Sequence, residues 1–292
     1  MTIREAVSKF LSYVFFDFEW PQYNLSVEEF KKLLETLENF SNKTKIIMTI
    51  ASRSRNFDVN SKTGKATINK LLDIISSYAD ISGLNIVAGN PAYLSEDEKR
   101  RNASRTLISL GEYIASRIDT KTDVFIGTEK ILKTAVKLAE KFDFKPFLLF
   151  SNNIDAEIKY ISKTVGNSKT ACYIPFSTTL KEEELIKKTW RYVLRREYAR
   201  NTLMSANIDL KNLEEQLQKG QIENLPSKTK RIFIEVMKKF VIYGEGNGLK
   251  QSLNKLVNKG INIIVGLPLS GSTNEITSLA AWKNSSNGNA VK

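Results

Sequence analysis

The sequence predicts a parallel α/β fold, a TIM-barrel-like (β/α) barrel, on three observations. Short apolar runs of strand length alternate with amphipathic helical stretches along most of the chain. Within Asp123 to Phe150 the order is strand, turn, helix, strand. There Val124, Phe125 and Ile126 stop at Gly127, and Ile131, Leu132, Ala135, Val136, Leu138 and Ala139 recur at the spacing of one helix face. Past Pro146 a second apolar run begins. Two such strands joined by a helix make a parallel, right-handed crossover. Finally, 292 residues with 41% hydrophobic content suffice for one large core.

The elements follow in order. Residues 2–10 read as a short helix, and Leu11 to Phe16 as an apolar strand ending at Asp17. Pro21 breaks the segment DFEWPQYN into a loop. Ser26 caps a helix from Val27 to about Phe40, with Glu29 at capping-box spacing. Lys45 to Ile50 is a strand, followed by the basic loop ASRSRNFDVNSKTGK. Ala66 to Ala79 is a helix with Ile68, Leu71, Leu72 and Ile75 on one face. Leu84 to Ala88 is a strand ended by Gly89, Asn90 and Pro91, and Glu96 to about Ser116 is one long helix. After the Asp123–Phe150 unit come a helix from Ile154 to Val165 and a strand from Thr170 to Phe176. The alternation then breaks: about 180–240 is helical throughout, with Gly220 and Pro226 as stops. Leu249 to Asn258 is a helix, Ile261 to Val265 a strand, and Ser272 to Trp282 a last helix. The reading is a single domain over 1–282 and a polar, disordered tail over 283–292. It has seven strands, each followed by a helix, and lacks an expected first strand because Met1 begins almost at a helix.

Composition excludes several functions. With no histidine, a zinc site and His-based acid/base chemistry are dismissed, and no metal is expected. The lone Cys172, in an apolar strand, reads as a small core residue. Neither a membrane span nor a signal peptide is apparent, which implies no membrane association and a cytoplasmic location. The formal net charge of +12 favours polyanions: RNA, DNA, or an anionic cofactor or substrate. A solvated Lys- and Glu-rich surface of the thermophile kind accounts for it equally simply.

The order of several segments resembles the luciferase-like monooxygenase superfamily, including its deazaflavin-dependent methylenetetrahydromethanopterin reductases. LSYVFFDF resembles the family's second strand with its terminal acidic residue, and SNKTKIIMTI the approach to its third. ATINKLLDIISSYADISGLNIVAGNP resembles a helix, a turn and the glycine-rich fourth strand. DEKRRNASRTLISLGEYI resembles the next helix, with Arg105 at the family's arginine position. DVFIGTEKILKTAVKLAEKFD resembles the fifth strand and helix. FVIYGEGNGLKQSLNKLVNKGINIIVGLPLSG resembles the C-terminal signature. There are departures. Phe18 stands where many members have histidine, Ile108 where they have glutamate, and Gly244-Glu245-Gly246 where they have Gly-Thr-Pro.

The resemblance implies an oxidoreductase that binds FMN or a deazaflavin and transfers hydride to or from an organic substrate. In parallel barrels ligands bind at the C-terminal strand ends, here Asp17, Glu19, Ala51 to Arg55, Gly89, Asn90, Gly127, Thr128, Ser151, Asn152, Ser177 and Pro268. The resemblance makes Asp17 the acid/base candidate, whose plainer reading is a strand-end carboxylate accepting loop N–H bonds. It also places Ala51 and Asn90 against the flavin ring, where a strand-end loop is the alternative. Ser52, Arg53 and Arg55 suit a cofactor phosphate or a solvated basic loop. Gly127 and Thr128 suit a phosphate at a helix N-terminus or a helix cap. Trp190, Arg191, Tyr192, Arg195, Arg196 and Arg200 interleave aromatic and basic residues on one helix, as a nucleic-acid face or as a half-buried helix with snorkelling arginines. Two other readings stay open. One is a catalytically degenerate barrel that binds RNA or ribosomes. The other is a non-catalytic subunit in a homo- or heterodimer.

Overall fold

The computed structural model describes residues 12–17, 26–38, 44–166, 169–244 and 247–287. The expected helix over 2–10 and the loop from 18, with Glu19, lie outside them. The chain divides into two compact units. One comprises Met1–Leu149, Ala156–Cys172 and Gly260–Val265; the other comprises Phe150–Asp155, Tyr173–Lys259 and Gly266–Lys292.

The first unit carries the parallel strands β1 (Tyr13–Asp17), β2 (Lys45–Ala51), β3 (Ser82–Val87), β4 (Asp123–Gly127) and β5 (Lys145–Leu149). They pair in chain order, all parallel across the first four neighbours. β6 (Thr170–Ser177) and β8 (Ile261–Pro268) begin in this unit and end in the second. The fold class is the TIM-barrel-like α/β arrangement that the alternation predicts.

Strand alternation sorts the side chains onto two faces. Val14, Phe16, Ile46, Met48, Ile50, Leu84, Ile86, Val124 and Ile126 pack against the helices. Those helices are α1 (Val27–Glu38), α2 (Lys62–Ser77), α4 (Ala103–Ala115) and α5 (Leu132–Phe142), while the short α3 (Glu96–Arg100) buries no residue. The opposite, inner face is aromatic: Tyr13, Phe15, Phe125 and Phe147 gather with Ile47, Ala171 and Ile263. Phe15 stacks on Phe147 at 5.1 Å and meets Phe125 edge-on at 5.1 Å.

Local chemistry explains the helix starts. At α1 the Ser26 N–H donates to Glu29 at 2.6 Å and the Glu29 N–H to the Ser26 hydroxyl at 3.2 Å, the expected capping box. The expected long helix is instead two, because Arg101 and Asn102 are extended and the Asn102 side chain caps α4 through the Arg105 N–H. A Cβ on Gly64, in the first turn of α2, would lie 2.2 Å from the Asp58 carbonyl oxygen. Gly64→Ala must therefore push helix and loop backbone apart. The expected loss is about 3 kcal/mol, read by urea unfolding.

After α6 (Ile154–Thr164), the second unit contains the helical insertion: α7 (Glu182–Leu194), α8 (Glu197–Ser205), α9 (Leu210–Gln218) and α10 (Ser227–Met237). Gly220, at φ +73°, and Pro226, as the residue before α10, supply the expected stops. These helices share a core of Leu185, Ile186, Val193, Leu203, Leu213, Phe233, Met237 and Phe240. A two-residue strand, β7 (Ile242–Tyr243), pairs with Phe176 and Ser177 of β6 and lies within the stretch FVIYGEG, for which no strand was expected. α11 (Asn247–Asn258) precedes β8, and α12 (Thr273–Asn287) continues past the expected end at Trp282.

Candidate functional site

The C-terminal ends of β1 to β4 lie within the first unit, so their residues can be placed against one another. Asp17 ends β1 with its Cα in register with Thr49 of β2. Thr49 is in register with Asn85 of β3, and Asn85 with Phe125 of β4. By alternation Thr49 and Asn85 face inward with Ile47 and Phe125. Asn85 is 1% exposed. Its Nδ2 donates to the Thr49 hydroxyl at 3.1 Å, while its Oδ1 is buried and accepts no hydrogen bond. A buried carbonyl oxygen without a donor costs on the order of 1–3 kcal/mol. Asn85 was missed in the sequence, although a lone amide inside the apolar run Leu84 to Ala88 was the available signal.

The residues expected to grip an anion are engaged elsewhere. The Arg53 guanidinium clamps the β3–α3 turn, donating from Nε to the Ala88 carbonyl at 2.7 Å and from Nη2 to the Gly89 carbonyl at 2.6 Å. Ser52 is buried; its N–H donates to the Val87 carbonyl at 2.8 Å and its hydroxyl meets that of Thr106 at 3.2 Å. Arg55 pairs with Asp97 at 2.6 Å, and Arg101 with Asp58 at 2.8 Å. The expected basic loop is thus a stitched seam between the β2–α2 and β3–α4 connections. The Asn90 side chain accepts from the Ala92 N–H at 3.0 Å, a local turn. Ala51 is buried at the end of β2, in register with Val87.

Gly127 and Thr128 require a correction too. The helix does not start at Gly-Thr. Lys130 has φ +62°, which breaks the chain before α5, and Ile131 precedes the helix with no side-chain cap. Both the Thr128 N–H (3.1 Å) and its hydroxyl (3.3 Å) donate to the Phe147 carbonyl, so neither is directed to a phosphate. Gly127 is glycine because a Cβ there would meet Val87 Cγ1 at 2.7 Å.

Two further constellations were not foreseen. At the opposite strand ends, Asp123 accepts from the Tyr13 hydroxyl at 3.1 Å, pairs with Lys45 at 3.0 Å, and is in contact with the Lys145 ammonium. Each of these residues opens a strand, a pattern visible in the sequence as charges placed just before apolar runs. In the second unit Glu275 is fully buried at the start of α12. Its carboxylate accepts from the Ser177 hydroxyl at 2.5 Å and from the N–H groups of Thr178 (3.1 Å) and Ser270 (2.9 Å). That carboxylate is satisfied by the protein and ties the β6 and β8 ends together. Ser272-x-x-Glu275 was its sequence signal. Burial pushes the Cys172 thiol far up, as suits a core residue. Among the described residues no group of His, Cys, Asp and Glu could hold a metal, and no helix is long and apolar enough to cross a membrane.

The expected single basic helix is two, α7 and α8, with Arg195 and Arg196 between them; Arg191 and Arg195 are exposed. Arg196 is half-buried over the Tyr192 ring at 4.8 Å, and Arg200 is paired with Glu214 at 3.0 Å. The expected six-residue face is therefore split.

The fold and the inward polar pair define a barrel-type α/β protein with its candidate site at the strand ends. Its family follows: the chain belongs to a family of unknown function (DUF7388), whose model matches residues 13–275. It is 24% identical over 155 residues to the uncharacterized protein MJ1239 of Methanocaldococcus jannaschii, which covers 53% of this chain and 56% of that protein. The chain thus spans little more than half the length of this curated relative. Three solved structures are similar in fold. The first is an F420-dependent secondary alcohol dehydrogenase in complex with an F420-acetone adduct (TM-score 0.57, 8% identity, 94% of this chain and 98% of that one). The second is apo-MsnO8 (0.52, 9%, 86% and 82%). The third is the EDTA monooxygenase EmoA from Chelativorans sp. BNC1 (0.50, 8%, 87% and 76%). At these identities the likeness is one of fold.

Proposed function

We propose that the chain is an oxidoreductase of the luciferase-like class, binding FMN or a deazaflavin at the C-terminal ends of β1 to β4. The unpaired, buried Oδ1 of Asn85 carries this reading. It is an acceptor on the inner face that requires an N–H or O–H donor, and flavin and deazaflavin rings both carry an N–H on their pyrimidine edge. The fold shared with an F420-dependent dehydrogenase supports it. The residues fit such a ring. Asn85 would hold it by that acceptor, Thr49 orients the Asn85 amide, and Ala51 is a small side chain at the strand end. When bound, the cofactor supplies hydride chemistry; the protein supplies binding and orientation. Asp17, at the end of β1 and in register with Thr49 on the neighbouring strand, is the group proposed to hold or move a proton. Arg53, Ser52 and Thr128, engaged as above, stabilise the loops that frame the site. A cofactor phosphate is therefore expected to be held elsewhere.

The test is a fluorescence titration of the purified chain with FMN and, separately, a deazaflavin, at low and at physiological salt. Saturable binding that survives physiological salt is the expected result. Absence of binding by both ligands would falsify the proposal.

A further inference from the structure

A second surface, independent of the barrel site, lies on α7. Its buried side is ordinary core: Leu185, Ile186, Thr189, Val193 and Leu194. The other side carries Lys187, Lys188 and Arg191, continued by Arg195 at the helix C-cap, all exposed and without an ion pair among the described residues. They stand at i, i+3 and i+4 from one another, so Lys187–Arg191, Lys188–Arg191 and Arg191–Arg195 are like-charge neighbours, which oppose helix formation. The acids at the right spacing to relieve them face away. Glu183 pairs with Lys230 of α10 at 2.9 Å, and Glu184 accepts from the Lys181 backbone N–H at 3.1 Å. Flanking these cations is Trp190, partly buried against the core of this unit, with the Arg191 guanidinium 5.1 Å from its ring centre. Arg196 and Arg200 do not belong to the stripe, being turned to Tyr192 and Glu214.

We propose that this face of α7 binds single-stranded nucleic acid, the phosphates lying along Lys187, Lys188, Arg191 and Arg195 and a base stacking on Trp190. Unrelieved cations spaced about 6 Å apart along a helix suit a flexible polyanion. The indole edge left accessible beside the stripe selects a polyanion that also carries planar rings. The +12 net charge adds long-range attraction.

The test is fluorescence anisotropy of the full chain with a short labelled oligouridylate, repeated across salt concentrations, with Trp190 emission followed in parallel. Each phosphate neutralised contributes about −0.7 to the slope of log K against log salt, so the slope should approach −3. The triple variant Lys187→Gln/Arg191→Gln/Arg195→Gln should lose at least tenfold in affinity and reduce the slope to roughly −0.7. It should melt no lower than the parent, because it removes repulsion. Trp190→Leu should lose affinity by about tenfold or more with the slope kept, and should abolish the emission change. Undiminished binding by the triple variant overturns the proposal. So does heparin binding as tight as the oligonucleotide with Trp190 emission unchanged in both. So too does capture by anionic vesicles but not by the oligonucleotide.

Discussion

Asp123→Asn should remove about 2–3 kcal/mol of stability and lower the melting temperature by roughly 5–10 °C. The variant keeps the side-chain volume and the hydrogen bond from Tyr13, so packing is preserved. What it removes is the carboxylate that meets both half-buried ammoniums, those of Lys45 and Lys145. Lys145 is already strained in this respect. Burial, with the Lys45 and Lys169 charges beside it, pushes its ammonium down to about 8, against an ordinary 10.5. Burial also holds Lys45 below its usual value. Asp123 opposes these effects, and the contact of the Lys145 ammonium with the Phe125 ring, at 5.4 Å, assists it. The pH dependence follows from the depressed value. Between about pH 8 and 10.5 the unfolded chain binds more protons at Lys145 than the folded chain does, so this residue makes stability rise with pH across that window. Its contribution is fully present above 10.5 and is lost as the pH falls through 8. Urea midpoints measured from pH 7 to 10.5 should therefore climb more steeply in the wild type than in Lys145→Met. Equal slopes would remove Lys145 from the account, and an Asp123→Asn variant as stable as the parent would show that solvent already screens the cluster.

Why this cluster escaped the sequence while the fold did not is a matter of what periodicity encodes. Strand and helix faces are written in apolar spacing, so α2, α5 and the strands β2, β4 and β6 were legible from runs such as KIIMTI and TACYIPF. Ser26 and Glu29 were legible because a cap is a local contact. The strand β7 was not, since two residues carry no period. The break between α3 and α4 was overlooked although the Asn102 cap on the Arg105 N–H is a local contact; the Arg101–Asp58 pair that accompanies it spans 43 positions and no local pattern records it. The site residues divide the same way. Arg53 and Thr128 have the chemistry for an anion, and only tertiary contacts reveal that Ala88, Gly89 and Phe147 use it. Gly127 read as an anion-binding turn, yet its glycine is required by Val87 on the next strand. Asn85 was visible as a polar interruption of an apolar run and Asp123 as a charge just before one. Their meaning depended on register, which places Asn85 beside Thr49 and brings Lys45 and Lys145 onto Asp123.

Thr49→Val/Asn85→Leu should raise the stability of the ligand-free chain by about 1–2 kcal/mol while weakening FMN or deazaflavin binding at least tenfold. The two effects share one cause. In the free protein the Asn85 Oδ1 lies buried without a donor, and the Asn85–Thr49 bond satisfies only the other half of the amide. Replacing both polar side chains with apolar ones of similar shape removes the unsatisfied acceptor without orphaning its partner. The single variant Asn85→Leu should gain less, because the Thr49 hydroxyl then loses its donor. A ligand that supplies an N–H to Oδ1 recovers the cost in the parent, whereas in the double variant it finds an apolar wall. Melting temperatures of parent and variant, each with and without cofactor, separate the alternatives. A double variant that is more stable and no longer shifted by cofactor is the expected outcome. A double variant that is less stable would make Asn85 a structural residue, its second hydrogen bond made to bound water. A more stable variant that still binds cofactor as the parent does would mean that the ring is held elsewhere on the strand ends, and that Asn85 answers to a different donor.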